Sequence, residues 1–158
     1  MNSRLQNKTF LNADQEVVMY DGSEITWRVS AYAVITKNDT VLIIKNRKEK
    51  LHDIVGGGIE FGETIEETLA REGLEEGGAK IKIGELLHAE TNWFYHFSNK
   101  KYHQTLQLFY SATLDGELSQ PTEKNIEWRG FVPVTEIGTT YHLPRNVEAV
   151  IKQKCKIK

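Results

Sequence analysis

Three glutamates near the middle of the chain, Glu72, Glu75 and Glu76, stand at spacings that gather carboxylates. On an α-helix at about 100° per residue, with Glu72 at zero, Glu75 falls at about −60° and Glu76 at about +40°, so all three share one arc. Carboxylates so crowded repel one another, and Glu72 with Glu76 is an unfavourable i,i+4 pair. Arg71, four residues before Glu75, offsets part of that repulsion. A hard divalent cation would offset the rest, because Mg²⁺ takes carboxylate oxygens and keeps positions for water and substrate phosphates. Just upstream, Gly56, Gly57 and Gly58 let the backbone approach a ligand or metal without Cβ obstruction. Glu66 and Glu67 lie on the same helix, and a solvated acidic face is the simpler reading for them. For the other three, spacing alone leaves a solvated face and a metal site about equally open. Two glycine-loop motifs fail: GxGxxG needs glycine where Phe61 stands, and a Walker loop needs a GK[ST] that is absent.

To be positioned, these residues need a strand, a loop and a helix in that order. Residues 55–62 form a glycine-dense loop. Thr64 is the expected N-cap, with Glu67 completing a T-x-x-E capping box, and Gly77-Gly78 ends the helix. Leu69, Ala70, Gly73 and Leu74 fill the arc beside the carboxylates and are expected to pack on a sheet. Gly73 costs about 1 kcal/mol against alanine in mid-helix, which points to close backbone approach there. Upstream, residues 29–35 and 40–45 flank Lys37-Asn38-Asp39 and predict a hairpin of central strands. Asp21-Gly22 within residues 17–27 predicts another hairpin, and residues 1–14, polar and poorly patterned, are expected to be loosely held. Downstream, strands are expected at 80–90, 104–114 and 128–133. Val147, Val150, Ile151 and Lys154 repeat at helical spacing after Pro144. Mixed strands with one mid-chain and one terminal helix predict an α/β architecture of the α+β sandwich kind.

Composition narrows the partners. The chain has 158 residues without a repeat, low-complexity tract or Pro/Ser-rich linker, which predicts one domain over 1–158. Twenty Lys+Arg against 22 Asp+Glu leave a formal charge of −2, so no stable nucleic-acid complex is expected. One cysteine, Cys155, excludes an intramolecular disulfide and a Cys-based zinc site. No apolar run approaches the ~18 residues of a membrane span, and residues 1–15 lack a signal-peptide core. No membrane partner and a cytoplasmic location are therefore expected.

Residues 57–79 resemble the Nudix box, written G-x5-E-x7-R-E-U-x-E-E-x-G-U with U a bulky apolar residue. Gly57, Glu63, Arg71, Glu72, Glu75, Glu76 and Gly78 occupy its fixed positions in order. The departures are Gly73 and Ala79, small residues at two U positions, and Val55 where many relatives have proline. The resemblance implies a Nudix fold, a mixed central β-sheet packed between helices, and the Asp21-Gly22 turn adds to it the expectation of an N-terminal hairpin or extension over 1–26. It also implies hydrolysis of a nucleoside diphosphate linked to another moiety, with Mg²⁺ or Mn²⁺ as cofactor. Carried over residue by residue, Glu72, Glu75 and Glu76 would bind metal, with the Gly57 carbonyl as a further ligand. Glu63 would support the site or hold a water, and Arg71 would orient the carboxylates. The general base is left open between a box glutamate and a later-loop carboxylate, Glu123 or Glu127, each more simply read as a solvated loop acid.

Substrate clues are thinner. Arg47, in the basic run Lys45 to Lys50, could reach a phosphate as a bidentate donor, and Arg28 is a weaker candidate of the same kind. The aromatic run Trp93-Phe94-Tyr95-His96-Phe97 has one face for the core and another that could stack a nucleobase; Tyr95 also resembles a tyrosine of relatives that cleave dinucleoside polyphosphates. His52-Asp53 could border the pocket, and the five histidines show no metal-ligand spacing. The first reading is a small-molecule nucleotide substrate, a nucleoside triphosphate or a modified one, giving monophosphate and pyrophosphate. The second is a dinucleoside polyphosphate or a nucleotide-sugar such as ADP-ribose, and a non-catalytic nucleotide sensor ranks below both. RNA cap removal has no support from charge or a basic-aromatic patch. A homodimer stays open.

Overall fold

Apolar residues on both faces of the two central strands require cover on both sides of the sheet, and one helix supplies each. The computed structural model describes residues 4–154, so Cys155 lies outside the described residues. The strands are β1 (Phe10–Leu11), β2 (Val17–Val18), β3 (Ile25–Lys37), β4 (Thr40–Asn46), β5 (His52–Asp53), β6 (Val55–Gly58), β7 (Ile81–His96), β8 (Lys101–Leu114) and β9 (Ile126–Pro133). The helices are α1 (Ile65–Glu72) and α2 (Arg145–Lys154). They form one mixed sheet of order β2-β1-β7-β8-β3-β4-β5, with β6 also on β3 and β9 also on β4. Ala31, Ala33 and Ile35 of β3 pack with Leu42, Ile44, Val55 and Leu69 of α1. Val34 points the other way, into a cluster with Val41, Ile43 and Phe109 and with Val147, Val150 and Ile151 of α2. This is the period-two alternation of strands buried on both faces. The expected α+β sandwich is the observed one.

The N-terminal part departs from expectation. No hairpin forms over 17–27; Asp21 instead closes a turn, its Oδ1 accepting from Ser23 N–H at 2.8 Å. Val17–Val18 folds back on Phe10–Leu11. The cause is aromatic burial: Phe10, 0% exposed, stacks on Tyr20 at 5.3 Å and meets the edge of Tyr102 at 4.9 Å. Asn12 closes the β1–β2 connection by accepting from the N–H groups of Asp14 and Glu16, each at 2.9 Å. Residues 10–16 are therefore held rather than loose, and residues 1–3 lie outside the described residues. Leu11 pairs in parallel with Phe94, while Asp14 accepts from Lys50 N–H at 2.6 Å and Glu16 pairs with Lys50 Nζ at 2.6 Å.

The mid-chain helix begins as expected. Thr64 Oγ1 accepts from Glu67 N–H at 3.2 Å, and Glu67 Oε2 accepts from Thr64 N–H at 2.8 Å. It stays α-helical only to Glu72, however, and continues as one π turn, Gly73–Gly77, closed by Gly78 in the left-handed region at φ 59°. Gly73 O accepts from Ala79 N–H at 2.8 Å, and a Cβ on Gly73 would lie 2.8 Å from the Ala79 carbonyl oxygen. The two small residues that break the apolar pattern thus fit one another. Ala70 and Leu74 are exposed, contrary to the expected apolar arc. Thr68 is buried in their place because its hydroxyl donates to Glu63 at 2.7 Å.

Candidate active site

Acid and glycine meet where β6 faces the end of α1. β6 runs antiparallel to β3, with Gly57 opposite Ala31 and Gly58 opposite Ser30. A Cβ on Gly57 would collide with Glu72 Oε1, so only glycine lets that carboxylate lie over the strand. The Arg28 guanidinium lies over Gly58 in the same way. Arg71 ties the acids together: Nε donates to Glu63 Oε1 at 2.7 Å, and Nη1 to Glu72 Oε1 at 2.8 Å and Glu75 Oε2 at 3.2 Å. Glu76 stands apart and accepts from Gly56 N–H at 3.1 Å.

The electrostatics divide these carboxylates. The hydrogen bonds from Arg71 and then Thr68 hold Glu63 down at about 2. Burial acts oppositely on Glu72, which is raised although Arg71 pulls it down. Burial pushes Glu76 up to about 9 despite the Gly56 N–H, with Glu72, Asp53 and Glu49 adding to the rise. Asp53 is pushed by burial up to about 7, with Glu49 adding. Such a wall is short of positive charge, and its oxygen donors suit a hard cation. Among the described residues no three His, Cys, Asp or Glu side chains converge closely enough to hold an ion. Glu72 and Glu76, beside Gly57, would offer carboxylate oxygens to such a cation, leaving the rest of its shell to water and phosphate.

Glu72, Glu76 and Gly56 to Gly58 wall a cleft of about 520 Å³ on the α2 side of the sheet. Its floor comes from strand register. Thr105 of β8 stands between Arg28 of β3 and Asn92 of β7, and Gln107 stands between Ser30 and Glu90. Alternate residues of three adjacent strands so share one face. Gln107 Oε1 accepts from Asn92 Nδ2 at 2.5 Å and from Asn146 Nδ2 at 2.9 Å, and Asn146 Nδ2 also reaches Glu90 Oε1 at 2.8 Å. Thr9, Leu11, Ala13 and Gln15 close one side and the start of α2 another, so the N-terminal segment both extends the sheet and borders the cleft.

Of the residues singled out in the sequence, Gly56 to Gly58, Glu72, Glu76, Arg28, Asp53 and, from the aromatic run, Trp93, Phe94 and His96 line the cleft. Glu63, Arg71 and Glu75 lie behind that wall, with Glu75 42% exposed and turned to Arg71. Four others are not brought to it. Arg47 is exposed, and Tyr95 packs on Tyr102 at 4.7 Å and Phe97 at 5.2 Å. Glu123 donates its N–H to Glu75 O at 2.8 Å, its carboxylate accepts from Asn125 N–H at 3.3 Å, and Glu127 is exposed on β9. The cleft adds Glu49, which accepts from Asn46 Nδ2 at 3.1 Å, and the floor residues His103, Thr105, Gln107, Asn92 and Asn146. One sequence signal could have found part of the floor: His103, Thr105 and Gln107 alternate with Tyr102, Gln104, Leu106 and Leu108, so one face of the strand is wholly polar and the other mostly apolar.

The family described as NUDIX domain has a model that matches residues 26–152. The NAD-capped RNA hydrolase NudC of Enterobacter sp. (strain 638) is 38% identical over 50 residues, which is 30% of this chain and 19% of that protein. The matched stretch thus spans about a fifth of these curated relatives. A solved NUDIX hydrolase from Nitrosomonas europaea has a TM-score of 0.66 at 20% identity, covering 82% of this chain and 88% of that one. An ADP-ribose pyrophosphatase from Streptococcus suis 89-1591 has a TM-score of 0.62 at 14% identity, covering 83% and 93%. At these identities the likeness is one of fold.

Proposed function

The chain belongs to the NUDIX domain family, and from that premise we propose that it is a Mg²⁺- or Mn²⁺-dependent pyrophosphohydrolase of a nucleoside diphosphate linked to a further group. A nucleoside triphosphate, ordinary or modified, is the first substrate to expect, with the monophosphate and pyrophosphate as products. The supporting observation is that the half-buried carboxylates of Glu72 and Glu76, the Arg28 guanidinium and the polar side chains of Ser30, Asn92, His103, Thr105, Gln107 and Asn146 all line a single cleft. A bound divalent cation supplies neutralisation of the diphosphate and activation of water.

The chain's own residues then have distinct roles. Glu72 and Glu76 would hold the cation, and Arg71 fixes the orientation of Glu72 through its 2.8 Å hydrogen bond. Arg28, over Gly58, donates to a phosphate oxygen. Water attacks one phosphorus and the bridging P–O bond breaks, with the electron pair leaving on the departing phosphate. Asp53, on the same wall with its carboxyl at about 7, is the candidate to take the proton from that water.

A panel of triphosphates, dinucleoside polyphosphates and nucleotide-sugars, assayed with Mg²⁺ and with Mn²⁺ beside Glu76→Gln, tests this. Cation-dependent hydrolysis that collapses in the variant is the expected result. Nucleotide binding without turnover under every condition would replace the enzyme by a sensor.

A further inference from the structure

Buried polar side-chain atoms almost always have a hydrogen-bond partner, so those without one mark places where something else is to bind. Among the described residues four such atoms lack a partner, and three belong to residues of the cleft: both ring nitrogens of His103 and Nε1 of Trp93. His103 is 7% exposed, on β8 between Thr26 of β3 and Phe94 of β7. Burial and then the Arg28 charge disfavour its imidazolium form. The neutral ring offers one donor and one acceptor, and neither is used within the protein.

The neighbours fit the same kind of ligand. Next along the face, the hydroxyls of Ser30 and Thr105 lie 3.4 Å apart, both residues buried. Beyond them the Asn92–Gln107–Asn146 amides are held by their mutual hydrogen bonds, which fixes what they present. His103, Ser30, Thr105 and the three amides are themselves uncharged and suit a neutral hydrogen-bonding group, while Arg28, opposite Thr105 on β3, reaches over Gly58 at the acid end and Arg145 also lines the cleft. Phe94, opposite His103 on β7, adds an aromatic ring to the lining, which suits a planar ligand.

We propose that His103, with Thr105 and the amides of Asn92, Gln107 and Asn146, is a subsite that hydrogen-bonds the edge of a nucleobase. The proposal rests on the reading of the chain as a nucleotide hydrolase and adds which residues distinguish one base from another. His103 is a specificity residue here and takes no part in the reaction at phosphorus.

The test uses ¹⁵N-labelled full-length protein with Mg²⁺, titrated with AMP, GMP, CMP, UMP, ribose 5-phosphate and inorganic pyrophosphate. The His103 ring resonances are followed, identified by their loss in His103→Phe. Expected is a shift with one or two of the monophosphates and none with ribose 5-phosphate or pyrophosphate. His103→Phe should weaken the responding nucleotide by about tenfold to a hundredfold. In turnover the variant should raise KM and flatten the ranking among bases more than it lowers kcat.

Equal shifts with ribose 5-phosphate would make this a sugar site, and shifts with pyrophosphate a phosphate site; either overturns the proposal. So would a nucleotide that moves other cleft resonances and leaves His103 still. Those outcomes leave the hydrolase reading intact. Only the absence of any nucleotide response anywhere would remove both. The titration of the unmodified chain stands even where His103→Phe fails to fold.

Discussion

The two ends of the cleft are opposites in how their polar atoms are satisfied. At the acid end each of the four box carboxylates has a donor, three from Arg71 and one from the Gly56 N–H, yet charge is left over. Burial holds Glu72 and Glu76 above the usual carboxylate range because too little positive charge faces them. On the floor the deficit is in hydrogen bonds rather than charge, for both ring nitrogens of His103 are unpartnered. A surplus of negative charge calls for a cation, and its strength must depend on pH. Unmet neutral hydrogen bonds call for a neutral, shaped partner and should be nearly indifferent to pH. The proposed nucleotide substrate with its metal would join both demands in one ligand.

Five changes would break or sharpen that contrast. Glu76→Gln removes a carboxylate proposed to hold the cation, with little change of shape, and should lower kcat/KM by on the order of 10²- to 10³-fold; a loss below tenfold in steady-state kinetics would mean the acid end holds no essential carboxylate there. Gly57→Ala should cost about a hundredfold, since the new methyl displaces the Glu72 carboxylate by a fraction of its own size. Circular dichroism should show that variant folded. On the floor, Asn146→Ala should raise KM about tenfold with a smaller effect on kcat, because Gln107 loses one of its two amide donors.

The fourth test is of stability against pH. In the folded chain Glu76 sits at about 9 against an ordinary 4.5, so the folded state holds the proton more tightly. Its stabilising contribution is complete below the unfolded value and is lost as pH rises through the folded one. Without divalent cations Tm should therefore fall between those limits, and Glu76→Gln should raise Tm at pH 8 by roughly 2–8 °C. Mg²⁺ should recover more stability at pH 8 than at pH 5, since ionised carboxylates bind it. The smallest change is Tyr95→Ala, which should leave KM within about threefold and lower Tm by a few degrees through loss of its contact with Tyr102. A larger KM effect would return Tyr95 to the substrate.

What the amino-acid sequence determined by itself is the acid end. The capping box at Thr64, the glycines of β6 and the order Glu63, Arg71, Glu72, Glu75, Glu76 all lie within one strand–loop–helix unit. Contacts there are set by spacing of a few residues, so the periodicity of one helix and the chemistry of one turn suffice. Even so, which acids face the cleft was decided by the π turn after Glu72: Glu75 stays with Arg71 while Glu76 goes beneath Gly56. That turn follows from the contact of Gly73 with Ala79, across a bend that helical periodicity does not anticipate.

The floor belonged to the tertiary structure. His103, Thr105 and Gln107 meet Arg28, Ser30, Asn92 and Glu90 only through the pairing of β3, β7 and β8. A slip of one residue in either register would turn the whole polar face to the other side of the sheet. The same pairing withdrew Tyr95 from the cleft and left Phe94 in it. Burial of Phe10 against Tyr102 likewise drew the N-terminal segment to the edge of the cleft. Register and ring burial sum many contacts between residues far apart in sequence, and no local spacing encodes such a sum.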